Sequence, residues 1–492
     1  MTARLSARNL KAISTLATTP GYDRSALSAG SLHFGVGNFH RAHQAVYLDG
    51  LFNTGRDHDW AIIGAGVLPS DEKMRRLLAG QDYLTTVVEQ SASRSAARVT
   101  GAMIDFLSPD DPAAIIRTLA DPAIRIVSLT ITEGGYFIDP ASGVFDAGHP
   151  DIVADGATPE RPGTVFGLIV AGLKRRREAG IAPFTVMSCD NIPHNGVVAR
   201  NAVAGLANLS DPEFSRWIAD RVAFPNGMVD RITPATGDRE REMLAREFGI
   251  QDDWPVFCED FIQWVLEDNF PAGRPALERV GVQFVPDVTP YENMKIRILN
   301  GGHAVIAYPA GLIDIHFVHE AMEHPLIRGY LQKVERDEII PVVPPVPDTD
   351  LQTYFKQIEE RFANPKIGDT IRRLCLDGSN RQPKFIIPAI ADRLKAGAGV
   401  AGLALASALW CRYCYGTTES GKTIEPNDPG WDRLVPVARA AKDDALAWLK
   451  MADIYGEVGR SEVFRKQFTV MLAAIWSEGV KRVLTRYVEG EI

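Results

Sequence analysis

The sequence predicts an α/β domain with a largely parallel sheet, followed by a mostly α-helical domain. Three observations carry this. Short apolar runs at 31–34, 60–63, 124–131 and 184–188 alternate with helix-like stretches, which is the pattern of β-α-β units. From Tyr291 onward the pattern is mostly helical to the end, broken by the proline-rich connection Ile340–Pro347. A chain of 492 residues is also long enough for two to four domains, or for one large two-lobed molecule, at roughly 100–200 residues per domain. The change of character falls near residue 287, so the α/β part is assigned to 1–286 and the helical part to 287–492.

Each element has its own signal. Residues 1–24 are poor in acids and carry Arg4, Arg8 and Lys11. They faintly resemble a transit peptide but lack the apolar core of a signal peptide, and are read as a short structured extension. The first strand, Ser31–Phe34, runs into Gly35-Val36-Gly37 and then the helical-looking 42–52. In such a strand–turn–helix the first glycine permits a tight turn, and the second lets the backbone approach a pyrophosphate. The helix start then offers N–H groups to the anion. Gly35, Val36, Gly37, Asn38, Phe39 and His40 are therefore the candidate cofactor-binding turn of a Rossmann-type domain. His40 stands where a third glycine is usual, so a purely structural turn is the competing reading.

The second strand, Trp60–Ile63, leads past Gly64 and Gly66 to Asp71. An acid there accepts hydrogen bonds from the adenosine ribose and repels a 2′-phosphate, favouring NAD over NADP. The alternative for Asp71 is an ordinary helix cap, and Lys73, Arg75 and Arg76 nearby would suit a phosphate instead. Ile124–Ile131 is a nearly continuous apolar run, as a buried parallel strand requires. The helix at 164–180 ends in Lys174-Arg-Arg-Arg177, which is read as cations favoured at a helix C-terminus rather than as a nucleic-acid patch. The strand Phe184–Ser188 ends in Cys189-Asp190-Asn191, so Asn191 lies just past a strand's carboxyl end, where open α/β sheets bind ligands.

Bulk properties exclude several classes. With 53 Lys+Arg against 62 Asp+Glu, the net charge of −9 suits neither nucleic acid nor an anionic membrane. The longest uncharged run, Ala396–Cys411, is shorter than the ~18 residues of a membrane span and is rich in Gly and Ala, as a close-packed buried helix would be. Five cysteines give no disulfide framework, which fits a reducing cytoplasm. Cys411 and Cys414 have CxxC spacing but no second pair, so they are read as core cysteines and no metal site is expected.

The chemistry concentrates at 291–303. On an α-helix at ~100° per residue, Lys295, Asn300 and His303 fall within an arc of roughly 140°. Oxidising a secondary alcohol removes a hydride from carbon and a proton from oxygen. A lysine takes that proton if burial or a neighbouring cation lowers its pKa. Asparagine amides stabilise the developing alkoxide without titrating. Histidine holds the substrate oxygen or positions the lysine. An amphipathic helix with a solvated lysine and a structural histidine is the alternative.

Five stretches, 33–44, 127–136, 184–191, 224–234 and 295–303, together resemble the polyol-specific long-chain dehydrogenase/reductase family over nearly the whole chain. The resemblance implies NAD-dependent, zinc-independent oxidation of a sugar alcohol to its ketose, with D-mannitol to D-fructose the leading pair. It implies Lys295 as general base, Asn191 and Asn300 as the oxyanion-stabilising pair, and His303 as substrate ligand and orienter of the lysine. Glu292 would pass the proton between lysine and solvent. Asp230, Arg373 and Arg381 would contact substrate, and Asp71 would select NAD. A monomer or weak homo-oligomer is implied.

Two positions depart from the family pattern. Asn38 replaces a glycine common in the turn, and Arg381 stands where close relatives carry a lysine. The latter leaves D-arabinitol, D-sorbitol or a uronate (fructuronate or tagaturonate reduction) as alternatives. A catalytically silent NAD-binding sensor is the non-enzymatic one.

Overall fold

The computed structural model describes residues 2–139 and 143–492. The chain divides into two compact units, Met1–Thr289 and Pro290–Ile492.

The first unit is built on a five-stranded sheet: β1 (Ala29–Phe34), β2 (Ala61–Ala65), β3 (Met103–Phe106), β4 (Ile126–Leu129) and β5 (Thr185–Ser188). The strands lie in the order β3-β2-β1-β4-β5, and every neighbouring pair is parallel. This is the Rossmann order, with its topological switch point between β1 and β4. Helices cover both faces, so the strands are apolar on both sides. On one face Ile115, Leu119, Phe166, Ile169, Leu173 and Val203 pack against Leu32, Phe34, Val127 and Val186. On the other, Leu48, Leu51, Phe52 and Trp264 pack against Ile62, Ile126 and Met187. Adjacent residues such as Ile126 and Val127 thus serve opposite layers, as a period of two demands.

Two smaller sheets escaped the sequence reading. Thr85–Gln90 pairs antiparallel with Ser95–Thr100 and parallel with Val256–Glu259. Gly227–Asp230, Gln263–Glu267 and Gln283–Val285 form the other. The extension at the N-terminus is structured: Ala3–Arg4 pairs with Ile250–Gln251, and Leu5 and Ile13 are fully buried.

The basic run at 174–177 is a helix-end feature. Arg176 is buried and donates to the carbonyls of Leu119, Ile124 and Ala182 at 2.9, 2.6 and 2.8 Å, and to that of Asp121. It satisfies chain ends that would otherwise bury bare C=O groups.

The second unit is helical from Thr289–Met294 through Val480–Glu489. The helix Ala401–Cys414 is buried throughout from Gly402 onward, because its sequence is apolar or small on every face. Cys411 and Cys414 are free thiols inside it. Among the described residues no helix is long and apolar enough to cross a membrane.

Candidate active site

The glycine turn follows β1 directly. Gly35 has φ +90°, and a Cβ there would lie 2.0 Å from the Thr130 carbonyl oxygen of the neighbouring strand end. No other residue fits. Gly37 differs: a Cβ there would meet nothing nearer than Gly35 O at 3.9 Å, so its backbone faces open space that a pyrophosphate can occupy. Beneath the turn His33 is fully buried. Its Nδ1 meets Ser128 Oγ at 2.8 Å, and its Nε2 meets Thr130 Oγ1 at 3.0 Å and Gly35 O at 3.1 Å. Burial pushes its pKa down to about 3, so it is a neutral latch between β1 and β4. His40 stacks on it at 3.5 Å between ring centroids and is itself fully buried. Only the backbone of His40 is available to a ligand.

The sequence reading of a single helix at 42–52 is corrected here. Two short helices, Asn38–Ala42 and Gln44–Phe52, are broken at His43. Asn38, the departure from glycine, ties the turn down. Its Oδ1 accepts from Arg41 Nη2 (2.8 Å) and Trp254 Nε1 (3.2 Å), and its Nδ2 donates to Pro234 O (3.2 Å).

Asp71 sits in the first turn of the helix Pro69–Ala79. Its Oδ2 accepts from the backbone N–H of Val67 and of Leu68, each at 2.9 Å. The capping alternative is therefore part of its role, and Oδ1 remains as an acceptor. Arg75 and Arg76 both bond Glu72 at 2.7 Å, and their hydrogen bonds pull its pKa down to about 2. Two of the three cations that would suit a 2′-phosphate are thus engaged by their own helix, while Lys73 Nζ lies 5.4 Å from the Trp254 ring centroid.

At the carboxyl end of the sheet, Asp190 joins two strand ends. It accepts from Ile131 N (2.9 Å), Thr132 N (2.9 Å) and Tyr136 Oη (2.7 Å), while Tyr136 also meets Ser188 Oγ at 2.6 Å. Burial raises its pKa. The next residue is Asn191, so this clamp fixes the backbone that presents it. Asn195 braces the same turn from below through Asp190 O (3.1 Å) and Gly227 O (2.8 Å). Asp230, at the end of Gly227–Asp230, is buried. The sequence reading passed over Asp190, although a carboxylate directly before Asn191 at a strand end was the available signal.

In the second unit the segment holding the amine, amide and imidazole is not a regular α-helix. Lys295–Asn300 is a π turn between the α-helices Thr289–Met294 and Gly301–Leu312, with Gly301 N–H bonded five residues back to Ile296 O. This corrects the arc expected for ~100° per residue: the wider turn adds a residue between Lys295 and His303. π turns inside α-helices are frequent at functional sites. Lys295 and Glu292 are both buried, which removes the solvated-lysine alternative.

His303 stacks on Phe362 with centroids 4.1 Å apart. Its pKa is pushed well below the ordinary value, first by burial and then by the charges of Arg373, Arg361, Arg381 and Lys295. The structure therefore gathers Lys295, His303, Arg373 and Arg381 in one electrostatic neighbourhood. Arg373 is held by a bidentate pair with Asp369. Arg381 donates to the carbonyls of Arg373 (3.3 Å) and Leu374 (3.2 Å). Arg361 is a member of this cluster that the sequence reading did not single out. Among the described residues no group of three or more His, Cys, Asp or Glu side chains is arranged to hold a metal ion.

A Rossmann sheet with a glycine turn at β1, in one chain with a helical unit carrying a buried lysine and a neutral histidine, defines a dinucleotide-dependent oxidoreductase. Residues 29–279 match the mannitol dehydrogenase Rossmann domain and residues 287–476 the mannitol dehydrogenase C-terminal domain, and the chain belongs to the mannitol dehydrogenase family. It is 61% identical to a mannitol 2-dehydrogenase of Cereibacter sphaeroides over 96% of this chain and 98% of the relative. It is 41% identical to one from Aspergillus fumigatus over 99% of each. Among solved structures it resembles Pseudomonas fluorescens mannitol 2-dehydrogenase, a ternary complex with NAD and D-mannitol (TM-score 0.89, 43% identity, 99% of this chain and 100% of that one). It also resembles a D-sorbitol dehydrogenase (TM-score 0.91, 38% identity, 98% and 100%).

Proposed function

We propose that this enzyme oxidises D-mannitol to D-fructose with NAD, in a reducing cytoplasm, using Lys295 as general base. The observation that carries the reading is the π turn, which holds the buried Lys295 amine within the electrostatic neighbourhood of the neutral His303 imidazole. NAD, when bound, supplies the hydride acceptor. Lys295 takes the hydroxyl proton as the carbon–hydrogen bond breaks, and returns it in ketose reduction. Asn191 and Asn300 donate to the oxygen as its charge grows. His303, kept neutral by its surroundings, donates one hydrogen bond to the substrate and cannot compete as a cation. Glu292, buried three residues before Lys295, passes the proton onward to solvent. Asp230, Arg373 and Arg381 hold the remaining hydroxyls.

The polar set needs no metal to polarise the alcohol, since amide donors supply the same stabilisation. Gly35, Val36 and Gly37 with the backbone of Asn38, Phe39 and His40 would hold the pyrophosphate of NAD, and Asp71 Oδ1 would take the ribose. Arg381 favours a second reading, a uronate as substrate, because its guanidinium has no carboxylate partner among the described residues. Of the two arginines of such a clamp, Arg373 is paired with Asp369, which suits a neutral polyol better than a carboxylate.

The deciding assay compares D-mannitol, D-sorbitol and D-arabinitol oxidation, and fructuronate reduction, with NAD(H) and NADP(H). The largest kcat/KM is expected for D-mannitol with NAD. A preference for fructuronate would overturn the polyol reading, and turnover of none of them would leave the silent sensor.

Asp71→Ala is expected to raise the NADP-to-NAD ratio of kcat/KM on the order of 10-fold, the scale of one lost charge repulsion near a surface. The ratio is the informative quantity, because loss of the cap alone, about 1 kcal/mol, affects both cofactors equally. An unchanged ratio would show that another group reads the ribose.

A further inference from the structure

The short helix Ile371–Leu374, which carries Arg373, is held at both ends. Ahead of it the chain leaves the turn Pro365–Ile367 through Gly368, at φ +63°. Asp369 and Thr370 then run against 316–318. Asp369 O accepts from Val318 N at 2.9 Å, His316 O accepts from Ile371 N at 2.9 Å, and Thr370 pairs antiparallel with Phe317. Thr370 Oγ1 caps the helix by accepting from Arg373 N at 3.2 Å. At the far end Arg381 donates to the carbonyls of Arg373 and Leu374. Backbone bonds therefore place the Asp369 carboxylate before any substrate arrives, which is preorganisation.

Arg373 meets that carboxylate side-on, through Nε and Nη2. A guanidinium has five N–H donors, so Nη1 and the second N–H of Nη2 remain for a ligand. The two side chains are unequally exposed, Arg373 at 49% and Asp369 at 9%. The acid thus lies behind the guanidinium: a molecule that reaches Arg373 meets N–H groups first, with a negative charge one side chain deeper. A hydroxyl needs only the donors, whereas a carboxylate draws its strength from the positive charge as well. The surroundings are otherwise cationic, since Arg373, Arg361, Arg381 and Lys295 all act on His303. An ion pair with one half-exposed partner adds little to stability, so folding alone does not call for this one.

We propose that Asp369 is a positioning residue that sets specificity: its carboxylate, fixed behind Arg373, makes the site favour a neutral polyol and its ketose over a sugar acid. Asp369 acts through Arg373 and touches no substrate itself. This rests on the substrate-contacting role of Arg373 given above. A uronate brought against Arg373 sets a second carboxylate on a guanidinium that already holds one, and the like charges repel. A polyol hydroxyl in the same place meets the same donors without that repulsion.

The test measures reduction of D-fructose and of fructuronate by the full-length enzyme with NADH. Asp369→Asn is expected to raise the fructuronate-to-fructose ratio of kcat/KM on the order of 10-fold, the scale of one like-charge repulsion near a surface, while Asp369→Glu stays near the parental ratio. An unchanged or lower ratio in Asp369→Asn would overturn the proposal, because loss of a merely structural acid slows both substrates alike. A second comparison leaves no arginine unpaired: Arg373→Met against the double variant Arg373→Met with Asp369→Asn. With the guanidinium gone, the bare carboxylate is expected to hold the ratio on the order of 10-fold below that of the double variant. Equal ratios in these two would overturn the proposal even where Asp369→Asn alone does not fold. Parental KM for both substrates in Arg373→Met would overturn it through Arg373. A parent that prefers fructuronate would overturn the polyol reading and this proposal together, whereas an unchanged ratio in variants of a parent that prefers D-fructose overturns this proposal alone.

Discussion

Lys295→Ala is expected to lower kcat roughly 100- to 10,000-fold, the range lost with a positioned general base, while the affinity for NAD stays near that of the parent. The structure makes this more than a generic expectation. Lys295 is buried at the head of a π turn. Among the cations around His303 it is the one amine; the others are arginines, which do not deprotonate in proteins. Methylamine added to the Ala variant is expected to recover part of the rate, increasing with the free-base concentration. Near-parental turnover without added amine would dismiss lysine as the base, and NAD affinity measured by fluorescence titration separates lost chemistry from lost cofactor.

The second large effect concerns stability. Gly35→Ala is expected to destabilise the α/β unit by roughly 3–5 kcal/mol, combining a strained positive φ at about 1–3 kcal/mol with overpacking of similar size. The added Cβ would sit 2.0 Å from Thr130 O, and that atom is backbone. Relief requires moving β4's end away from β1, which disrupts the contacts of Thr130 Oγ1 with Gly35 O at 2.6 Å and with His33. Gly37→Ala is the control: its Cβ enters open space, so the fold is expected to survive while NAD affinity falls. Urea unfolding midpoints and NAD titration of both variants decide the matter. If the two unfold alike, the two glycines do not have the separate roles assigned here.

Much of this is legible in the sequence, and the reasons are local. β1, β4 and β5 are short apolar runs ended by turn residues, and nothing else in such a chain forms them. The glycine turn and the carboxyl-end position of Asn191 follow from chain order alone. The segment 291–303 stood out because an amine, an amide and an imidazole are rare together on an apolar helix. Three things did not show. The hairpin Thr85–Gln90 with Ser95–Thr100 has weak alternation, and its pairing with Val256–Glu259 spans a sequence distance no local pattern encodes. The π turn has no composition of its own, since it arises from how the helix packs rather than from propensity. Asp190 and Asp369 look like ordinary surface acids until their partners are known. One then proves to be bonded three times and the other to hold Arg373.

A π turn is an α-helix with one extra residue accommodated in place. Deleting a residue within 296–299 would let the segment relax to a regular helix, with the flanking helices left close to their present phase and the side chains inside the turn redirected. Hydrophobic burial of the flanking helices would survive such a change better than the directions of the side chains between Lys295 and Asn300 would. Alignment of this chain against plain helical proteins therefore has to open a single-residue gap here, and a designer transplanting the motif onto a straight scaffold helix would carry over the right amino acids in the wrong directions.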